Sequence, residues 1–409
     1  MKRYEDLSPS LRCIMTPGPV EADPRVLRAM SFPILGQFDP EFTDIMNETM
    51  EMLRELFATG NKWAYPVDGT SRSGIEAVMT SLIAPGDRVL IPIFGRFGHL
   101  LHEIAERCGA EVFTLEQAWG SVFTPGEVIA AIESYKPDVV AMVHGETSTG
   151  RVQPLAEIGR ACREHDALLI VDAVATIGGV PVETDAWMLD AVIGGTQKCL
   201  SVPSGMAPVT YNERAEAKLL RRKQVERGLR TGGDQHSELP VVRSNYFDLG
   251  MLQDYWSPQR LNHHTEMTSM LYALREGLRL ALEEGLEARY ARHALHEKAL
   301  VAGLTAMGLT LYGDPESKLT VVTCVLIPEG VDGESVRAML LSRFGIEIAS
   351  SFGPLKGLIW RIGTMGFSCR ENNVLRLLGA LEAALLRHGY PVPCGLGVQA
   401  ALDVYEPKV

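Results

Sequence analysis

One lysine, Lys198, stands in the stretch GGTQKCLSVPSG (194–205), directly after the short apolar run DAVIGG (190–195). A strand that ends in small polar residues and then offers a lysine is unusual for a solvated loop. The preceding apolar run, LLIVDAVA, carries Asp172 near its end. A carboxylate there is costly to bury unless it meets a cation or a strong donor. Farther upstream, DGTSRSGIEAVMTSL (68–82) sets Gly69, Thr70, Ser71 and Ser73 ahead of a helix striped by Ile75, Val78, Met79 and Leu82. Free N–H groups and hydroxyls at a helix start form a phosphate cradle. The spacing from Gly69 to Gly74 mimics a P-loop, but Ile75 stands where that loop needs its lysine, which disfavours a nucleotide triphosphatase. Singly, each feature has a plainer reading: a well-capped helix, an aspartate capping the next segment, a solvated lysine.

Together the three fit one chemistry. A phosphate cradle, an acid on an inner strand and a lysine on the neighbouring strand end are what pyridoxal 5'-phosphate requires. The cradle anchors the phosphate, the carboxylate keeps the pyridine nitrogen protonated, and the lysine takes the aldehyde.

Such residues need a scaffold that brings strand ends together. The runs at 87–93, 110–116, 138–146, 167–175 and 190–195 are nearly continuous apolar stretches. They read as strands buried on both faces, the mark of a parallel sheet covered by helices. Helices are expected between them. TPGEVIAAIESYK (124–136) opens on a Thr N-cap with Pro at the first helical position. QPLAEIGRACREH (153–165) aligns Leu155, Ile158, Gly159 and Cys162. The repeated β-α-β order implies right-handed crossovers and an open, doubly wound α/β sheet. Ligands bind such sheets beyond the carboxyl ends of the strands, where the notable residues fall. After about residue 265 the pattern changes. A long helical stretch (265–306) leads to a strand at 319–328, a helix at 333–344, a strand at 357–363 and a helix at 370–389. The expected organisation is an N-terminal segment (1–21), a large cofactor domain (22–264), and a linking helix with a smaller α+β domain (265–409).

The chain has 409 residues and a net charge of −12, which argues against binding a phosphate backbone. The one basic run, KLLRRKQVERGLR (218–230), reads as a solvated helix face. Seven cysteines without a C-x-x-C pair argue against a disulfide framework or a zinc site and fit a reducing compartment. With no apolar signal region and no 18-residue apolar run, the expectation is a cytoplasmic protein that avoids membranes. His263 and His264 invite a metal, yet adjacent histidines point apart and no third ligand is evident, so none is expected.

An ordered set of segments runs over nearly the whole length: TPGPVEADPRVLRAM (16–30), HGETSTG (144–150), VDAVATIGG (171–179), GTQKCLSVPSGMAPV (195–209), LNHHTEMT (261–268) and WRIGTMG (360–366). By these the chain resembles the class V, fold-type I aminotransferases of the alanine/serine–glyoxylate group. The resemblance implies a homodimer with shared active sites, pyridoxal phosphate, and transfer of an amino group from a small donor to glyoxylate. It makes Lys198 the Schiff-base lysine and Asp172 the partner of the pyridine nitrogen. Phe97 would stack on the ring where relatives often place Trp, with Val174 on the other face and Thr147 near the ring hydroxyl. Thr70, Ser71, Arg72 and Gln197 would surround the phosphate; many relatives have Ser-Gly-His at 70–72, so Arg72 departs from the pattern. Thr265 would reach the phosphate from the second subunit, and Arg361 would clamp the substrate carboxylate. Without the family, Arg361 is a plain ion-pair candidate.

The donor rests on two amides. Relatives that use alanine or serine commonly carry Tyr before HHT, where this chain has Asn262, and Gln37 also differs from their residues. Paired carboxamides complement a ureido group, and the pairing resembles the ureidoglycine–glyoxylate branch, whose members act in purine (allantoin) breakdown with oxalurate and glycine as products. Alternatively, both amides satisfy backbone groups. Alanine– or serine–glyoxylate transamination stands next. Cysteine desulfurase usually has His before the lysine and a loop cysteine, whereas Gln197 and a cysteine-free 350–357 are found here. A catalytically silent scaffold is weakened by the joint presence of Lys198, Asp172 and Arg361.

Overall fold

The computed structural model describes residues 4–229 and 237–406. Seven strands form the main sheet: β1 (Trp63–Gly69), β2 (Arg88–Ile93), β3 (Glu111–Glu116), β4 (Val139–Val143), β5 (Leu168–Asp172), β6 (Ala191–Ile193) and β7 (Gly205–Tyr211). Their spatial order is β1-β7-β6-β5-β4-β2-β3. All neighbours from β6 to β3 pair in parallel, while β7 runs antiparallel to both β1 and β6. The central strands β4, β5 and β6 are buried along their whole length, as continuous apolar runs require. β3 departs from the expectation. It lies at the sheet edge, is only half-buried, and its ends are exposed. An edge strand lacks a neighbour on one side, so the same apolar composition cannot bury it fully.

Helices α1 (Pro40–Leu56), α2 (Ser71–Leu82), α3 (Arg96–Cys108), α4 (Pro125–Tyr135) and α5 (Ala156–Glu164) are the helices of this region that bear on the site. α4 begins with a full capping box between Thr124 and Glu127 and with Pro125 in its first turn. α2 lies against β6 and β7 because Gly74 has no side chain there; a Cβ would come within 2.8 Å of that of Ala207. This close approach aims the start of α2 at the strand ends.

The long helical stretch is two helices, α6 (Thr268–Glu284) and α7 (Leu286–Ala306), meeting at Gly285. They serve different cores. Leu271, Leu274 and Leu278 of α6 pack into the large apolar core under the main sheet. Leu300 and Leu304 of α7 join a second core with Trp360, Ile362 and residues of α8 (Glu371–Arg387). Cys13 and Met15 also belong to that second core, and Cys13–Ile14 pairs with Ile346–Glu347. The smaller unit has one antiparallel pair, β8 (Val322–Leu326) with β9 (Ile359–Gly363), and closes on α9 (Leu396–Tyr405). A third cluster, holding Cys199, Leu319, Val321 and Met365, joins the two.

The basic run is not one solvated face. Its helix ends at Leu220, and Arg222 is buried, donating to the carbonyls of Thr80, Ser81, Ile83 and Pro240. Lys218 and Lys223 pair with Asp87 and Asp254. Arg230, the last residue of the run, lies outside the described residues. No helix among the described residues is long and apolar enough to cross a membrane.

Candidate active site

Nine residues singled out from the sequence line one cavity of about 190 Å³: Thr70, Ser71, Arg72, Phe97, Thr147, Asp172, Val174, Gln197 and Lys198. They arrive on five pieces of the scaffold. Asp172 ends β5, Lys198 follows β6, Thr70 and Ser71 open α2, Phe97 lies in the first turn of α3, and Thr147 follows β4. These are the carboxyl ends of the parallel strands, where crossovers leave a crevice.

Lys198 is 8% exposed, and its Nζ donates to the carbonyl of Pro17. The N-terminal segment can pass this close because the next residue is Gly18, where a Cβ would collide with the lysine side chain. Burial, aided by the Arg361 charge, brings the Lys198 amine down to about 8. Asp172 accepts one hydrogen bond, from the Val174 N–H at 3.0 Å. Burial, opposed by that bond and reinforced by Glu146, pushes its carboxyl up to about 6. A buried carboxylate this poorly matched calls for a cation or an N–H donor in the cavity.

At the start of α2, Thr70 is the N-cap but caps nothing with its side chain. Ser71 Oγ donates to Gln197 Oε1 at 2.8 Å. The first-turn N–H groups of a helix lack partners within it, and the hydroxyls of Thr70 and Ser71 stand beside them. An anion, an amine-reactive carbonyl and a protonated ring nitrogen together would match every unmatched group in this cavity. The residues present fit pyridoxal phosphate.

Arg361, on β9, does not line the cavity but bonds to a residue that does: its Nη1 donates to Thr147 O at 2.9 Å and its Nε to Ser350 O at 2.7 Å. Burial lowers it to about 10, a guanidinium still charged at neutral pH. Its guanidinium carbon is 4.5 Å from the centre of the Phe352 ring, and that of Arg96 is 4.2 Å from the same ring.

Three residues are elsewhere. Gln37 Nε2 donates to Asn262 Oδ1 at 3.0 Å, and Gln37 Oε1 accepts the Glu266 N–H at 3.2 Å. The two amides therefore meet, together with the segment that carries Thr265, but none of the three lines the Lys198 cavity of the same chain. A larger cleft of about 560 Å³, lined by Arg25, Glu284, Arg289 and Arg292, lies against Leu200 and Ser201. Its charges largely pair with one another, as Glu284 does with Arg289 and Arg292, and it lacks the lysine–aspartate pair.

One residue escaped the sequence reading. Glu146 is fully buried, accepts from the N–H and Oγ of Ser148, and accepts from the Phe97 N–H at 2.9 Å. It ties the β4 loop to the start of α3 and thereby places Phe97. The signal was present, since a glutamate ends the run 138–146 much as Asp172 ends its own.

Fold and site together define a class. The class-V aminotransferase family model matches residues 34–355, and the chain belongs to that family. It is 66% identical to the (S)-ureidoglycine–glyoxylate transaminase of Bacillus subtilis, over 99% of this chain and 98% of that one. The crystal structure of the Bacillus subtilis ureidoglycine–glyoxylate aminotransferase superposes with a TM-score of 0.94 at 65% identity, covering 98% of this chain and all (100%) of that chain. The alanine–glyoxylate aminotransferase of Drosophila melanogaster is more distant, at 34% identity over 91% of this chain and 92% of that one.

Proposed function

We propose that this chain is a pyridoxal phosphate-dependent transaminase that moves the amino group of (S)-ureidoglycine to glyoxylate, giving oxalurate and glycine, in purine (allantoin) breakdown. The observation that carries the donor is the Gln37–Asn262 amide pair, in a chain 66% identical over nearly its whole length to a transaminase of that name. Two carboxamides held against each other offer donors and acceptors in the alternation a ureido group presents.

When bound, pyridoxal phosphate supplies a carbonyl carbon and an electron-withdrawing ring. Thr70, Ser71, Arg72 and Gln197 would hold its phosphate, Phe97 and Val174 would line its ring, and Thr147 would lie near the ring hydroxyl. Asp172 would keep the pyridine nitrogen protonated. Lys198 would be the covalent anchor and, when free, would carry the proton to and from the substrate α-carbon. With its amine near pH 8, Lys198 is poised to gain and lose a proton in the neutral range. Arg361 takes the substrate carboxylate through its planar fork.

Thr265, Asn262 and Gln37 complete the site of the partner subunit in a homodimer, which accounts for their meeting away from the Lys198 cavity. The boundary expected at 264/265 is moved to Gly285, because α6 packs with the large core and α7 with the second, leaving 22–284 as the large unit and 286–406, with the strand at 13–14, as the small one. A cytoplasmic location fits seven free thiols. The test is a panel of amino donors with glyoxylate as acceptor, including freshly generated ureidoglycine. A kcat/KM highest for ureidoglycine is expected. Preference for alanine or serine would transfer the assignment to that branch.

A further inference from the structure

Beside the proposed active site lies a second cluster that the reaction does not use. Asp68, His264 and Glu266 each bring one ligand atom into a group spanning less than 4.8 Å, the one such group among the described residues. His264 Nε2 is 3.2 Å from Asp68 Oδ2 and 3.7 Å from Glu266 Oε2. All three side chains are more than nine-tenths buried, with 3%, 9% and 0% exposed for Asp68, His264 and Glu266. None of the four carboxylate oxygens, nor His264 Nε2, makes a well-aligned hydrogen bond; the contacts present include the ion pair of His264 with Asp68 and the Tyr255 hydroxyl beside Glu266.

That combination is hard to sustain without a ligand. Two buried carboxylates with one imidazole leave negative charge in a dry place. His264 Nε2 stands close to both acids without a hydrogen bond to either, so it is aimed between them. Its other nitrogen is engaged: Nδ1 is 2.8 Å from His263 Nδ1, the outer contact that orients a ligating imidazole. The His264 ring is fixed against Tyr255, with centroids 4.7 Å apart. Around a tetrahedral zinc with bonds of about 2.0–2.1 Å, ligand atoms lie roughly 3.3–3.4 Å apart. The two measured separations bracket that spacing.

We propose that Asp68, His264 and Glu266 bind a first-row divalent cation such as Zn²⁺ or Mn²⁺. This reverses the expectation drawn from the sequence, where His264 had no third ligand near it; the fold supplies two, one from the end of β1. The position has a consequence. Asp68 directly precedes the phosphate cradle at Gly69–Ser71, and His264 and Glu266 flank Thr265. A cation there locks the segment 262–266 onto the end of β1. Its benefit to cofactor retention rests on the reading of Thr265 given above, whereas the cation site does not.

The experiment uses the full-length enzyme. Metal content is measured by plasma mass spectrometry as purified, and Zn²⁺ or Mn²⁺ is titrated calorimetrically into chelator-treated protein. About one cation per chain with Kd near or below about 1 μM is expected. Asp68→Asn and Glu266→Gln, which keep shape and remove charge, should each weaken binding by about a hundredfold. Should a variant misfold, X-ray absorption of the Co²⁺-loaded wild type decides, with one imidazole among oxygen ligands expected. Binding of less than about a tenth of an equivalent at tens of micromolar cation would overturn the site and leave a proton shared by the two acids. Unchanged affinity in both folded variants would overturn it as well. Pyridoxal phosphate retention is followed separately by absorbance. A bound cation whose removal leaves retention unchanged would discard the Thr265 reading and keep the site.

Discussion

At the scale of single residues, burial sets the chemistry. Lys198 differs from a surface lysine because its amine sits in a dry cavity, where the charged form loses hydration, and because Arg361 adds a like charge. Replacing it, Lys198→Ala, should lower transaminase turnover by at least about a thousandfold, since base and covalent anchor are lost together. Steady-state assays at saturating donor check this; near-wild-type turnover would remove the role. The pH dependence follows from the sign of the shift. The folded-state value lies below the ordinary lysine value, so the reactive neutral amine is populated above about pH 8. Covalent uptake of pyridoxal phosphate by cofactor-free protein should rise about fivefold from pH 7 to 8 and less than about twofold from 8 to 9. An unshifted amine would instead gain about tenfold over each unit. For the donor, Asn262→Tyr should shift the kcat/KM ratio from ureidoglycine toward alanine by about tenfold to a hundredfold. Losing one or two polar contacts costs about 1–3 kcal/mol each. An unchanged ratio would take Asn262 out of the specificity site.

At the scale of elements, Glu146 shows how loops become rigid enough to hold a cofactor. Its carboxylate gathers three donors, from Ser148 and from Phe97, and so clamps the loop after β4 to the first turn of α3. Hydrogen bonds to a charged group contribute about 1.5–3 kcal/mol, and orphaned buried donors add their own cost. Glu146→Ala should therefore destabilise the protein by at least about 3 kcal/mol in chemical denaturation. It should also loosen pyridoxal phosphate, whose ring depends on Phe97. Glu146→Gln keeps two acceptor lone pairs and should recover part of the stability. Equal stability of wild type and Glu146→Ala would mean that the loop is held by other contacts.

At the scale of the whole molecule, the separation of Gln37, Asn262 and Thr265 from the Lys198 cavity is the informative feature. On the proposed function, a second chain brings them to the cavity. Thr265→Ala should weaken cofactor affinity by about 1.5–3 kcal/mol, or one to two decades, measured by dialysis and reconstitution. Mixing gives a sharper test of shared sites. Subunits carrying Lys198→Ala and subunits carrying Thr265→Ala are each impaired as homodimers. If the two residues serve one site from different chains, each mixed dimer regains one site with both residues intact. If they act within one chain, mixing restores nothing.

Local sequence determined the five parallel strands β2 to β6, the caps and the residue types of the site, but not the strands β1 and β7. Continuous apolar runs have to be buried on both faces, and Thr124 with Pro125 and Glu127 forms its capping box from neighbours alone. That Lys198, Asp172 and the Thr70–Ser71 turn share one cavity was legible, because strand-end position and residue type put them at one edge of the sheet. What lay outside local reach depended on which segments meet. The antiparallel strand β7, the edge position of β3 and the burial of Arg222 follow from sheet order, which periodicity does not encode. The long helical stretch was visible, but its break at Gly285 matters only because the helices on either side fill different cores. His264 and Glu266 flank Thr265, but only the tertiary fold brings Asp68 to them, and burial side by side couples their charges.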